Sequence, residues 1–176
     1  IKWYPPAPGF YKLNTDGSYM EKEGIGGLGG IIRNSAGDWV VGFHVKTLVI
    51  THTHAELLAL QHRFQLAVQH SLFPIEVETD SVETIELLQK NHITYQSTLD
   101  SCRYQLRRLG SPAVRHSFRE GNKAAHLLAK QGSKQATCNH LLVMESPPPS
   151  VLVVLQAHKG GLTTSRLVPV SVCNKL

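Results

Sequence analysis

Between Phe10 and Phe43 the chain carries three stretches of strand character whose links are too short for a crossover. Residues 10–19 alternate loosely, "GIGGLGGIIRN" at 24–34 reads as a glycine-rich strand, "SAGD" at 35–38 is a turn, and a third strand follows at 39–46. Links this short allow only antiparallel pairing, so the segment predicts a meander. Then the period changes. Residues 54–70 place Leu57, Leu60, Phe64 and Val68 on one helical face, and "IEVET" at 75–79 returns to strand alternation. Helical patterns follow at 81–91 and at 98–110, the latter closed by Gly110, then a strand at 113–118 and a helix at 122–132 ending at Gly132. Strands separated by helices can pair in parallel, so the order predicts a mixed α/β sheet in which the first and fourth strands can be neighbours. The expected domain is 10–134. "WYPPAPG" makes residues 1–9 an extended linker, because prolines block helix. Beyond Ser133 the pattern degrades and "SPPPS" at 146–150 is a break, leaving 135–176 as a tail of uncertain structure.

Composition narrows the function classes. The chain is 41% hydrophobic, enough for a core, and only 18% charged, too little for a disordered polyelectrolyte. A formal net charge of +5 favours a polyanionic partner such as nucleic acid, although ordinary solubility charge would also produce it. Cys102, Cys138 and Cys173 form no CxxC pair, which argues against a zinc ribbon or disulfide framework and for a reducing compartment. No apolar run is long enough to span a bilayer and no signal peptide opens the chain, so the expectation is an intracellular protein of nucleus or cytoplasm that does not engage membranes. The first residue is Ile1, as in a piece cut from a longer product.

The glycines Gly24, Gly26 and Gly29 have GxGxxG spacing, but a strand and turn follow them where a dinucleotide site needs a helix. They fit a bend or a close backbone approach better. Three acids have local readings and a joint one. Asp16, in "NTDGS", is a candidate turn residue; Glu56 completes a capping box with Thr53; Asp80 is a candidate N-cap for the next helix. Taken together, Asp16 lies in the first strand, Asp80 ends the fourth and Glu56 opens the first helix. Adjacent first and fourth strands would bring these carboxylates to one edge. Clustered carboxylates repel and need cations, and hard divalent ions such as Mg²⁺ with oxygen ligands supply them.

The motifs "WYPPAPGFYKLNTDGS", "GIGGLGGIIRNSAGDWVVGF", "HAELLAL", "VETDS" and "RHSFREGNKAAHLLAK" together resemble the ribonuclease H type 1 domain, in the version common in plant genomes and related to non-LTR retrotransposons. The resemblance runs from about Trp3 to Lys134. It implies a ribonuclease H-like fold: a five-stranded mixed sheet, three antiparallel strands followed by parallel ones, flanked by helices. It also implies an endonuclease that cleaves the RNA strand of RNA–DNA hybrids with two Mg²⁺ or Mn²⁺ ions. On this resemblance Asp16, Glu56 and Asp80 are metal-binding catalytic residues, and His116 is a catalytic histidine ahead of the last helix, beside the plainer reading of a strand histidine. Gly17, Ser18 and Asn122 contact nucleic acid, with Gly17 admitting its backbone; an N-cap is the plainer reading of Asn122. Arg103, Arg107, Arg108, Lys123 and Lys130 become candidate phosphate contacts, beside the plainer reading of a solvated helix face.

One position departs from the family. Its fourth carboxylate is the Asp of an "NxxAD" pattern, whereas "NKAAH" puts His126 there. Imidazole brings no negative charge and suits Mn²⁺ or Zn²⁺ better than Mg²⁺, so His126 is read as a metal ligand of an altered second site. The expected consequence is hydrolysis weakened more than binding. The alternative is a catalytically impaired nucleic-acid-binding module of retroelement origin, and the protein is expected to act as a monomeric domain or as part of a larger chain.

Overall fold

The computed structural model describes residues 1–165. The meander forms as its short links require: β1 (Tyr11–Gly17), β2 (Ile25–Arg33) and β3 (Trp39–Leu48) pair antiparallel in sequence. Helix α1 (His52–Gln69) carries the chain back over one face to β4 (Ile75–Thr79), which pairs parallel with β1. Helices α2 (Val82–Leu87) and α3 (Gln96–Arg108) lead to β5 (Val114–His116), parallel to β4, and α4 (Lys123–Ser133) crosses the other face. Two elements come from the expected tail: β6 (Leu142–Met144) and α5 (Pro149–Lys159). β6 pairs with β3, so the sheet has six strands in the order β5-β4-β1-β2-β3-β6, one more than the five expected.

Strand alternation sorts the core into two layers. Leu13, Ile32, Val41 and Val77 pack under α1 and α3 against Leu57, Leu60, Phe64, Leu99 and Cys102. On the opposite face Ile31 meets Ala124 and Leu128 of α4 and Val151, Val154 and Leu155 of α5. The glycine-rich strand is explained by α4. A Cβ on Gly29 would lie 2.1 Å from the Ala129 backbone nitrogen, so only glycine lets the helix rest on the sheet backbone.

The first nine residues form no helix or strand, yet they are not a loose linker. Trp3 is buried, donates from Nε1 to Asn14 Oδ1 at 3.2 Å and stacks on the Arg33 guanidinium at 3.5 Å. Arg33 donates to Asn14 Oδ1 at 2.9 Å and lies 3.0 Å from His158 Nδ1 on α5. The chain's beginning and α5 therefore close over one buried cation. Burial lowers the Arg33 pKa to about 9, with Glu78 opposing the shift, and Arg63 is held well below its usual value by burial and by Arg33. Cys102 and Cys138 are free thiols, and Cys173 lies outside the described residues. No helix among the described residues is long and apolar enough to cross a membrane.

Candidate active site

The pairing of β1 with both β2 and β4 builds the site. Thr15 is in register with Thr79 of β4, which sets Asp16 beside Asp80 at one end of neighbouring parallel strands. Asp16 itself sits inside β1 opposite Gly29, so it is a strand residue and the turn reading fails. The capping readings fail as well. Thr51 caps α1, accepting from the His54 backbone N–H at 3.0 Å, while Thr53 donates to Glu83 at 2.6 Å. Ser81, not Asp80, caps α2, accepting from Thr84 N–H at 3.2 Å. Glu56 and Asp80 are left free for the cluster: Asp16, Glu56 and Asp80 each present an oxygen within 4.8 Å of the other two.

Asp16 and Glu56 are almost fully buried, and Glu56 Oε2 has no hydrogen-bond partner. Burial, then the charges of Asp16 and Asp80, push the Glu56 pKa well above the carboxylate range; the Gly17 backbone N–H opposes them. Asp80 is raised by burial and by Asp16, with Arg119 opposing. A buried carboxylate oxygen without a partner, beside two further acids, fits a hard divalent cation. Mg²⁺ and Mn²⁺ both suit this oxygen set, and Asp16, Glu56 and Asp80 would hold the ion.

His126 stands on the α4 side, 2.7 Å from Asp16 Oδ2 through Nδ1, with 41% of its side chain exposed. The hydrogen bond to Asp16 raises its pKa against the opposing effect of burial. The imidazole thus occupies Oδ2 of Asp16, where the expected pattern puts an acid nearby. Ligation of a metal by Nδ1 requires it to give up that hydrogen bond. His116, at the end of β5, lies with His52, Glu56, Asp80, Ser81, Phe118 and Arg119 around a cavity of about 420 Å³ over the cluster. Its ring meets Phe118 edge-on at 5.2 Å.

Four expected contacts are used otherwise. Gly17 is buried, and a Cβ there would lie 2.5 Å from the Ala55 backbone carbon, so the close approach it permits is that of the first turn of α1. The Ser18 hydroxyl accepts from Gly27 N–H at 3.0 Å and lies 3.1 Å from the Gly27 carbonyl, inside the meander. Asn122 is buried and makes no side-chain cap; its Nδ2 donates to the Thr15 carbonyl at 2.6 Å, tying α4 to the strand that carries Asp16. Arg103 turns inward, donating to the carbonyls of Leu88 at 2.9 Å and Leu87 at 3.2 Å, and so closes the end of α2. Arg107, Arg108, Lys123 and Lys130 are exposed. Sequence reasoning missed His52 and Arg119: no periodicity marks either, although His52 stands four residues before Glu56 on one helical face, a spacing that could have been noticed.

A six-stranded mixed sheet, with β1, β2, β3 and β6 paired antiparallel and β4 and β5 added in parallel, and an acidic trio at the end of β1 and β4, defines a ribonuclease H-like domain. Solved structures share the fold: RNase H1 isolated from compost has a TM-score of 0.65 at 20% identity, covering 72% of this chain and 97% of that one. RNase H1 from the halophilic archaeon Halobacterium salinarum scores 0.65 at 21% identity, covering 70% and 97%. The chain belongs to the reverse transcriptase-like family, whose model matches residues 14–132. A curated relative from Arabidopsis thaliana, named "Putative ribonuclease H protein At1g65750", is 29% identical over 133 residues, 73% of this chain. This chain spans about a fifth of that relative's length, 21%.

Proposed function

We propose that the chain hydrolyses the RNA strand of RNA–DNA hybrids as a divalent-metal-dependent endonuclease. The observation that carries this reading is the convergence of Asp16, Glu56 and Asp80 within 4.8 Å, with Glu56 Oε2 buried and unpartnered. The relative's ribonuclease H name supports it, as does the likeness to the compost RNase H1 in complex with RNA/DNA hybrid, with a TM-score of 0.65 at 20% identity. Mg²⁺ or Mn²⁺, two ions in the full form of the mechanism, would supply water activation and stabilisation of the departing 3′ oxygen.

The chain's own residues have separable parts. Asp16, Asp80 and Glu56 would hold the cations and so fix where the scissile phosphate sits. Asn122 acts at one remove, pinning α4 to the β1 backbone one residue before Asp16. His116, exposed at the rim of the cavity, is placed to take up or give a proton at the leaving oxygen. His126 holds an oxygen of Asp16; if it gave up that hydrogen bond, its Nδ1 would bring one nitrogen to the second cation position, which would favour Mn²⁺ over Mg²⁺. The same contact supports a second reading, a nucleic-acid-binding module with impaired catalysis. Free thiols at Cys102 and Cys138 agree with a reducing setting in nucleus or cytoplasm.

The test is cleavage of a long end-labelled RNA–DNA hybrid by the purified chain. Internal cuts in the RNA strand are expected. Stepwise trimming from one end would replace the endonuclease by an exonuclease. Binding without cleavage in either metal would leave the binding module.

A further inference from the structure

Two cavities flank the carboxylate trio, and Arg119 lines both. One is the cavity of about 420 Å³ over Glu56 and Asp80; the other, about 280 Å³, is lined by Arg119, Glu120, Lys123, His126 and Thr164. Arg119 Nε stands 3.8 Å from Asp80 Oδ2, yet 67% of the side chain remains exposed. The charge pattern across the site is therefore uneven. Oxygens of three acids gather at the strand ends, and on the α4 side Arg119, Lys123 and His126 bring nitrogen that outnumbers the one half-buried carboxylate there, Glu120. A polyanionic strand with one phosphate at the trio must run on past one side of it. Its next phosphate is repelled by the acids and attracted by this nitrogen-rich wall. A guanidinium presents a planar fork of donors that matches two phosphate oxygens, which a lysine cannot do.

We propose that Arg119 holds a phosphate of the nucleic-acid strand next to the carboxylate trio, with Lys123 as the second cation of that subsite. This rests on the nuclease reading above and assigns the residue that fixes the strand's path. The competing role is purely internal: Arg119 as counter-charge for Asp80. The two differ in salt dependence. Each neutralised phosphate releases counterions and contributes about 0.9 to the slope of log affinity against log salt, whereas an intramolecular pair contributes none.

The experiment is fluorescence anisotropy of a labelled RNA–DNA hybrid in EDTA across a series of salt concentrations, with the wild type, Arg119→Gln and Arg119→Lys. The expected result is a slope shallower by about 0.9 in Arg119→Gln. Arg119→Lys should restore the slope but not the full affinity, because it keeps the charge and loses the fork. An unchanged slope in Arg119→Gln, with the wild type binding normally, overturns the phosphate contact and leaves the nuclease reading intact. Failure of the wild type to bind any hybrid, in EDTA and in Ca²⁺ alike, overturns both. Exposure of the side chain makes misfolding of either variant unexpected, and circular dichroism checks it.

Discussion

Replacing Asp80 by Asn probes the carboxylate trio through stability rather than turnover. Its oxygens lie within 4.8 Å of those of Asp16 and Glu56. At an effective dielectric constant of about 20, a full charge pair at that distance costs about 3.5 kcal/mol. Glu56 relieves one of the two repulsions, because burial and its acidic neighbours favour its protonated form. Arg119 and His126 offset part of the other, and solvent screens what remains. The net gain from Asp80→Asn without metal is then on the order of 1 kcal/mol, or about 2–4 °C in Tm for a chain of this size. A divalent cation reverses the sign. At a hundred times its Kd, a bound ion stabilises the folded wild type by about 2.7 kcal/mol, and the variant, short of one anionic ligand, gains less. Thermal unfolding of both proteins in EDTA and in Mn²⁺ measures this. The variant should be the more stable in EDTA and the less stable in Mn²⁺. A variant less stable in both would refute the argument, because Asp80 would then be stabilising the fold through ordinary contacts.

Three other substitutions test separate links. His126→Asp returns a hard anionic ligand beside Asp16 and should raise the Mg²⁺-dependent cleavage rate about ten-fold, equivalent to about 1.4 kcal/mol, while narrowing the advantage of Mn²⁺; equal rates would mean the site does not use that position. Burial, then Arg33 and Lys123, lower the pKa of His158 from 6.5 to about 4, so the unfolded chain takes up a proton there that the folded chain refuses. Stability from this group is complete above about pH 6.5 and is lost as pH falls toward 4, by about 1–2 kcal/mol after discounting for its partial exposure. Urea midpoints at both ends of that range should therefore differ less in His158→Gln than in the wild type. Gly29→Ala drives a Cβ into the α4 backbone at 2.1 Å and should cost about 3 kcal/mol in urea unfolding; a cost below about 1 kcal/mol would mean that α4 shifts freely on the sheet.

The sheet was legible because its signals are local. Strand alternation, the "SAGD" turn and the closing glycines each act over a few residues, and the observed β1 to β5 follow them closely. The trio was legible for a related reason: strand order alone decides whether Asp16 and Asp80 are neighbours. The rest depends on contacts distant in sequence. Helix α5 buries Val151, Val154 and Leu155 but leaves Leu152 and Val153 exposed, so its apolar residues show no clean helical stripe. β6 has three residues, too few for a period. Nothing near Trp3 or Arg33 announces their pairing, which runs through Asn14 and His158, the latter 125 residues away from Arg33. The capping box marked Thr53 by sequence; Glu83, distant in sequence, takes the Thr53 hydroxyl, and Thr51 caps the helix instead. Gly17 was legible as a close approach, but what approaches it is α1.

The central claim is that Asp16, Glu56 and Asp80 act as one metal-dependent hydrolytic site. Single-turnover cleavage of a labelled RNA–DNA hybrid in Mn²⁺, by the wild type and by Asp16→Asn, tests it most directly. The account predicts internal cuts of the RNA strand by the wild type, none by the variant, and hybrid affinities that differ little between the two. Equal cleavage by Asp16→Asn would contradict it, because a residue that lies 2.7 Å from His126 and shares the trio could not then be a metal ligand.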